Sequence, residues 1–129
     1  MSARKARILC TEDDADTREL IAIVLTNEGY EVVCTENAAD AIELAKTQPF
    51  DLFLVDNWIP GRSGTELCEE IRRFDMKTPI LFYSGAAQEK DKEAARLAGA
   101  QAYLVKPAAI DELIAEVGLL IATSKGAKG

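Results

Sequence analysis

Four apolar runs in this chain each stop on residues able to do polar chemistry. ILCT is followed by Glu12, Asp13 and Asp14, LFLV by Asp56, PILFY by Ser84, and AYLV by Lys106. A single carboxylate after a strand is an ordinary solvated loop. Several strand ends that together supply carboxylates, a hydroxyl and an ammonium form a constellation. Two carboxylates about 5 Å apart repel by roughly 3 kcal/mol at an effective dielectric near 20. Glu12, Asp13 and Asp56 therefore cannot share a pocket without a counter-charge or a raised pKa. Lys106 supplies one positive charge, and a hard divalent cation would supply the rest; Mg²⁺ prefers one or two carboxylates, some waters and a phosphate oxygen. A carboxylate can also be phosphorylated as a nucleophile. Phosphoryl transfer needs chiefly positioning and charge neutralisation by a metal, a lysine and a hydroxyl or amide donor. The strand ends hold that set.

The elements that must position these residues alternate in type, as βα units around a parallel sheet do. Strands are expected at Arg7–Thr11, Glu31–Cys34, Asp51–Val55, Pro79–Tyr83 and Ala102–Val105. The second is short and polar-flanked, which suits a sheet edge. Helices are expected over Ala15–Glu28, with Asp14 as N-cap and Gly29 as stop, and from Asn37 to about Thr47, ended by Pro49. A third helix begins at the S-x-x-E capping-box spacing of Ser63 and Glu66, and a fourth, Ala-rich and charged, covers Ala87–Ala98. The last carries a one-face stripe of Ile110, Leu113, Ile114, Val117, Leu120 and Ile121, read as core packing. Residues 124–129 are expected to be a flexible tail. The fold class is thus α/β, a (βα)₅ chain forming a single domain over residues 1–129 with its core at about 5–122. Open sheets of this kind bind ligands at the carboxyl ends of their strands.

Composition narrows the function. At 129 residues the chain is long enough to bury its own core. A net charge of −7 argues against nucleic acid as a direct partner. With no histidine present, a histidine base and Ser-His or Cys-His nucleophile pairs are ruled out. No apolar run approaches the length of a membrane span, and the basic opening MSARKARILC lacks an apolar signal core, so a cytoplasmic location without a membrane partner is expected. Cys10, Cys34 and Cys68 are scattered, with no CxxC pair, and are read as reduced, packed thiols.

ILCTEDD, LFLVDNWIPGRSG, PILFYSG and AGAQAYLVKP occur in this order and at a spacing that resembles the receiver domain of two-component response regulators, over residues 5 to about 122. The resemblance implies a flavodoxin-like doubly wound sheet of strand order 2-1-3-4-5, with strands one and three side by side. It implies that Asp56 is the phosphoacceptor and that Mg²⁺ is the cofactor. Asp13 and Asp56 would then be direct ligands, Glu12 would act through water, and the Trp58 carbonyl would be the third protein ligand. Ser84 would bond the phosphoryl group and Lys106 would pair with it. Tyr103 would be the switch aromatic, and Pro107 would follow a cis peptide bond. Implied partners are a sensor histidine kinase or histidine phosphotransfer protein and a downstream protein target, reached through the face made by helix four, strand five and helix five. The chain would catalyse only its own aspartyl phosphorylation and dephosphorylation. With no output domain in the chain, the signal is expected to pass by protein contact or onward phosphotransfer.

Some positions depart from the family pattern. The acid pair is Glu-Asp, Ala108 stands where Phe is frequent, and Trp58 is bulky for a position that often tunes hydrolysis. Asp14 reads as a helix cap, not a ligand. Rival readings are an aspartate-nucleophile phosphohydrolase, a flavin-binding module and a degenerate receiver used only for docking. The hydrolase usually has a second acid two residues after the nucleophile, where this chain has Trp58. The flavin site wants a phosphate loop rich in Ser, Thr and Gly, where TEDDAD would repel phosphate. The docking-only receiver does not need the five site residues this chain retains.

Overall fold

The computed structural model describes residues 5–128. Residues 1–4, in the basic opening, and Gly129, the last of the expected tail, lie outside the described residues. The central sheet is formed by β1 (Arg7–Thr11), β2 (Glu31–Thr35), β3 (Leu52–Val55), β4 (Ile80–Ser84) and β5 (Ala102–Val105). These five strands are parallel and lie in the order β2-β1-β3-β4-β5. β3, and β4 up to its final Ser84, are hydrophobic and buried on both faces, as central parallel strands must be. The polar-flanked β2 is an edge.

The helices are α1 (Ala15–Asn27), α2 (Ala38–Thr47), α3 (Gly64–Arg72), α4 (Glu89–Ala98) and α5 (Ile110–Lys128). One core packs Ile21 and Leu25 of α1 with Leu113, Val117 and Ile121 of α5 beneath the sheet. The other packs α2, α3 and α4 on the opposite face through Ala41, Leu67, Ile71 and Ala95. Burying each large aliphatic side chain contributes about 1.5–3 kcal/mol. These two layers fix the strand ends that carry the polar residues.

The caps follow the sequence. Asp14 accepts from the Thr17 N–H, Asn37 accepts from the Asp40 N–H, and Ser63 with Glu66 forms a complete capping box. Several ends, those of α1, β2, β3 and β4, move by one residue from expectation, and two helix boundaries move further. α4 begins at Glu89, not Ala87, and α5 continues through Ser124 to Lys128. Ile110, placed on the core stripe by its spacing, is exposed because it sits in the first turn of α5, at the rim of the layer. No helix among the described residues is long and apolar enough to cross a membrane.

Candidate functional site

Buried polar side chains in this fold gather at one edge. Thr11, Glu12, Thr35, Asp56, Asn57 and Ser84 are all buried, and all sit at or just after the carboxyl ends of β1, β2, β3 and β4. β1 and β3 are neighbours, with Thr11 in register with Val55, so the next residues, Glu12 and Asp56, emerge side by side. Glu12, Asp13 and Asp56 bring carboxylate oxygens within 4.8 Å of one another. Glu12 and Asp56 are buried, while Asp13 is exposed at the mouth.

Lys106 closes the set from the end of β5. Its Nζ donates to Glu12 Oε1 at 2.6 Å and to Asp56 Oδ2 at 3.0 Å, and it lies 5.5 Å from the Tyr83 ring centroid. Burial pushes the Glu12 carboxyl up, with the Asp56 charge adding to this, while the hydrogen bond from Lys106 works against it. Burial opposes the charge on Lys106, but its bonds to Glu12 and Asp56 outweigh that and raise its pKa. Three carboxylates against one ammonium leave the pocket short of positive charge. The donors are hard oxygens from three points in the chain, and such a set fits a hard divalent cation.

The remaining predicted residues also lie here. Asp56 Oδ1 accepts from the Trp58 N–H at 3.2 Å, which turns the loop tightly after β3. Trp58 is 63% exposed, and its ring edge lies 3.3 Å from where a Cβ on Gly85 would stand, so the indole sits over the rim next to Ser84. Ser84 is fully buried, and its Oγ accepts from the Ala86 N–H at 3.2 Å. Tyr103 is half-buried, stacks on Phe82 at 5.4 Å between centroids, and donates its hydroxyl to the Ala86 carbonyl at 2.6 Å. Burial raises the Tyr103 pKa, and bonds to Ser84 and Asn57 oppose this. The Lys106–Pro107 peptide bond is cis.

Sequence reasoning passed over three supports. Arg18 on α1 donates to the carbonyls of Glu12 at 2.9 Å and Asp13 at 3.3 Å, pinning the acid loop from behind. Asn57 is buried and faces the Thr65 hydroxyl at 3.4 Å. Gly64 packs against the loop so closely that a Cβ would overlap the Asp56 carbonyl and lie 2.9 Å from Asn57 Cα. A glycine one residue after a capping serine is a signal that could have exposed this approach.

The response regulator receiver domain family matches residues 8–118. This chain belongs to that family. Among curated relatives, the cell cycle response regulators CtrA of Brucella ovis and Brucella abortus are each 37% identical over 120 residues, covering 93% of this chain and 52% of theirs. The chain thus spans about half the length of those relatives. A CheY-like receiver domain protein from Methanospirillum hungatei superposes with a TM-score of 0.93 at 26% identity, covering 96% of this chain and 99% of that one. The receiver domain of a sensor histidine kinase from Pseudomonas aeruginosa, solved with a magnesium ion coordinated in its active site cleft, gives 0.85 at 28% identity, covering 92% and 99%. This receiver is therefore a two-component signalling module with a flavodoxin-like sheet and an acidic pocket at its carboxyl edge.

Proposed function

We propose that this receiver takes a phosphoryl group from a phosphohistidine, on a sensor histidine kinase or a histidine phosphotransfer protein, onto Asp56. The observation that carries this reading is the position of Asp56 Oδ2, 3.0 Å from Lys106 Nζ and beside the oxygens of Glu12 and Asp13. An Asp56 oxygen attacks phosphorus in line. The new O–P bond forms as the P–N bond breaks, and the imidazole keeps the electron pair. Bound Mg²⁺ would neutralise charge on the transferring oxygens. Asp13, Asp56 and the Trp58 carbonyl would hold it, with Glu12 acting through water; the magnesium described in the Pseudomonas relative supports this choice. Lys106 would move its ammonium from the carboxylates to a phosphoryl oxygen, and the Ser84 hydroxyl would donate to another.

Withdrawal of Ser84 toward the phosphoryl group frees room at Ala86, where Tyr103 is anchored. The two-state equilibrium then shifts, and a downstream protein reads the α4–β5–α5 face. Catalysis is limited to the chain's own phosphorylation and dephosphorylation, and its setting is cytoplasmic, without direct nucleic-acid or membrane contact.

Incubation with acetyl phosphate and Mg²⁺ followed by intact mass measurement tests the assignment. The wild type should gain one phosphoryl group and Asp56→Asn none. Equal gain in both proteins overturns Asp56 as acceptor. A wild type that stays unmodified with acetyl phosphate and with a panel of phosphorylated kinases favours a receiver used only for docking.

A further inference from the structure

β1 and β2 pair in parallel with Cys10 in register with Cys34. Both side chains join the same apolar layer beneath the sheet, Cys10 fully buried and Cys34 partly so. Neighbouring strands lie about 4.7–4.9 Å apart, inside the Cα separation that a disulfide spans. The two thiols therefore stand side by side on one face of the sheet. β2 is the sheet edge, so Cys34 also faces outward. It lines an open groove of about 420 Å³ with Arg18 of α1, Thr35 and Glu36 after β2, and Asp40, Glu43 and Leu44 of α2.

We infer that Cys10 and Cys34 are a reversible peroxide-responsive thiol pair, in which Cys34 is the attacking sulfur and Cys10 the resolving one. The Cys34 thiolate attacks one oxygen of hydrogen peroxide. The O–O bond breaks, hydroxide leaves and takes a proton, and Cys34 becomes a sulfenic acid. The Cys10 sulfur then attacks Cys34, the S–O bond breaks, and the hydroxide leaves as water with the Cys10 proton. The two thiols lose two electrons and the peroxide gains them, giving one disulfide and two waters.

The surroundings choose the oxidant and the order of events. The neighbouring Cys10 thiol lowers the Cys34 thiol to about 7, with burial opposing and the Arg18 charge helping. Cys34, the sulfur that the groove opens to solvent, is therefore the nucleophile, and Cys10, fully buried behind it, is the resolving partner. Glu36, Asp40 and Glu43 surround the groove and repel anionic oxidants such as glutathione disulfide, so a small neutral hydroperoxide is the fitting partner. Cys34 lines the open groove, so reductants reach the bridge, and exposed bridges are the readily reduced, regulatory kind. Cys68 supplies an internal contrast. It is buried against the Ala98 carbonyl at 3.4 Å and pushed up to about 11 by burial.

The test treats reduced, full-length protein with hydrogen peroxide, removes the excess with catalase, and alkylates under denaturing conditions before intact mass and peptide mapping. The wild type should lose two alkylatable thiols, retain Cys68, and recover both with dithiothreitol. Cys34 should react about a hundredfold faster than Cys68, from thiolate fraction offset by nucleophilicity. Cys34→Ser should keep both remaining thiols through the same treatment. Cys10→Ser should stop at a Cys34 sulfenic acid trapped by dimedone; if that variant does not fold, the wild type and Cys34→Ser decide alone. Asp56→Asn should oxidise like the wild type, which separates this chemistry from the phosphoacceptor reading. Three fully alkylated thiols in the wild type, or a bridge that includes Cys68, overturns the inference.

Discussion

Lys106 is where the charges of the pocket meet. Its ammonium reaches both buried carboxylates at once, so it occupies the charge-neutralising role that a divalent cation would otherwise take. Removing one partner from a buried ion pair costs about 3–5 kcal/mol when the other charges stay uncompensated. Here the loss should be smaller, because Lys106 is part-exposed and burial already favours the protonated form of Glu12. Lys106→Ala is therefore expected to be less stable than the wild type without metal and to bind Mg²⁺ several-fold more tightly. Urea melts with and without Mg²⁺, alongside a titration followed by Trp58 emission, measure both effects. Trp58 is the only tryptophan and lies over the rim of the pocket, so its signal has one source. Unchanged Mg²⁺ affinity in Lys106→Ala would show that the lysine and the metal do not compete.

At the level of elements, the joints carry as much information as the strands. The turn between α3 and β4 hangs on Asp75, whose carboxylate accepts from the N–H groups of Lys77 at 2.9 Å and Thr78 at 3.0 Å and from the Thr78 hydroxyl at 2.6 Å. Burial pushes the other way, yet these bonds leave the Asp75 carboxyl below its ordinary value. A depressed acid contributes stability that is present above its unfolded pKa and lost as pH falls through the folded one. Asp75→Ala should thus cost about 1 kcal/mol at neutral pH, and the difference from wild type should shrink in urea melts as the pH is lowered through and below the ordinary carboxylate range. A difference that persists there would mean that the turn is held by something other than the carboxylate. Gly64→Ala should act differently, forcing the loop after β3 off the α3 cap and lowering phosphorylation along with stability. Phosphorylation at the wild-type rate would show that the loop yields freely. The edge strand, the caps at Asp14 and Asn37, and the bounds of β1 and β5 were all legible, because each rests on local composition. The pairing of Cys10 with Cys34 was not, since strand register is a long-range property. The extension of α5 past Ser124 was hidden by Gly126, whose low helix propensity pointed to an end that the structure does not show.

Across the whole molecule, the acidic edge and the α4–β5–α5 face share one sheet, and β4 and β5 run between them with Phe82 stacked on Tyr103. Tyr103 is anchored to the Ala86 carbonyl, two residues beyond Ser84, whose hydroxyl accepts from the Ala86 N–H, so one short segment joins the pocket hydroxyl to the Tyr103 ring. A ligand that binds only the folded pocket stabilises the fold by mass action, by about 2.7 kcal/mol at a hundred times its Kd. For a domain of this size that corresponds to a rise in Tm of about 10 °C. Mg²⁺ with beryllofluoride, a phosphoryl mimic, should give such a rise in the wild type and lose it in Asp56→Asn. Hydrogen exchange should then divide the site from the signal. In the wild type the mimic should change exchange at the pocket loops and along Glu89–Ala98 and Ala102–Val105. In Tyr103→Ala the rise in Tm and the change at the pocket loops should remain, while the change along α4 and β5 is lost. If α4 and β5 respond equally in both proteins, the coupling runs through the backbone of the sheet and the Tyr103 ring is only packing.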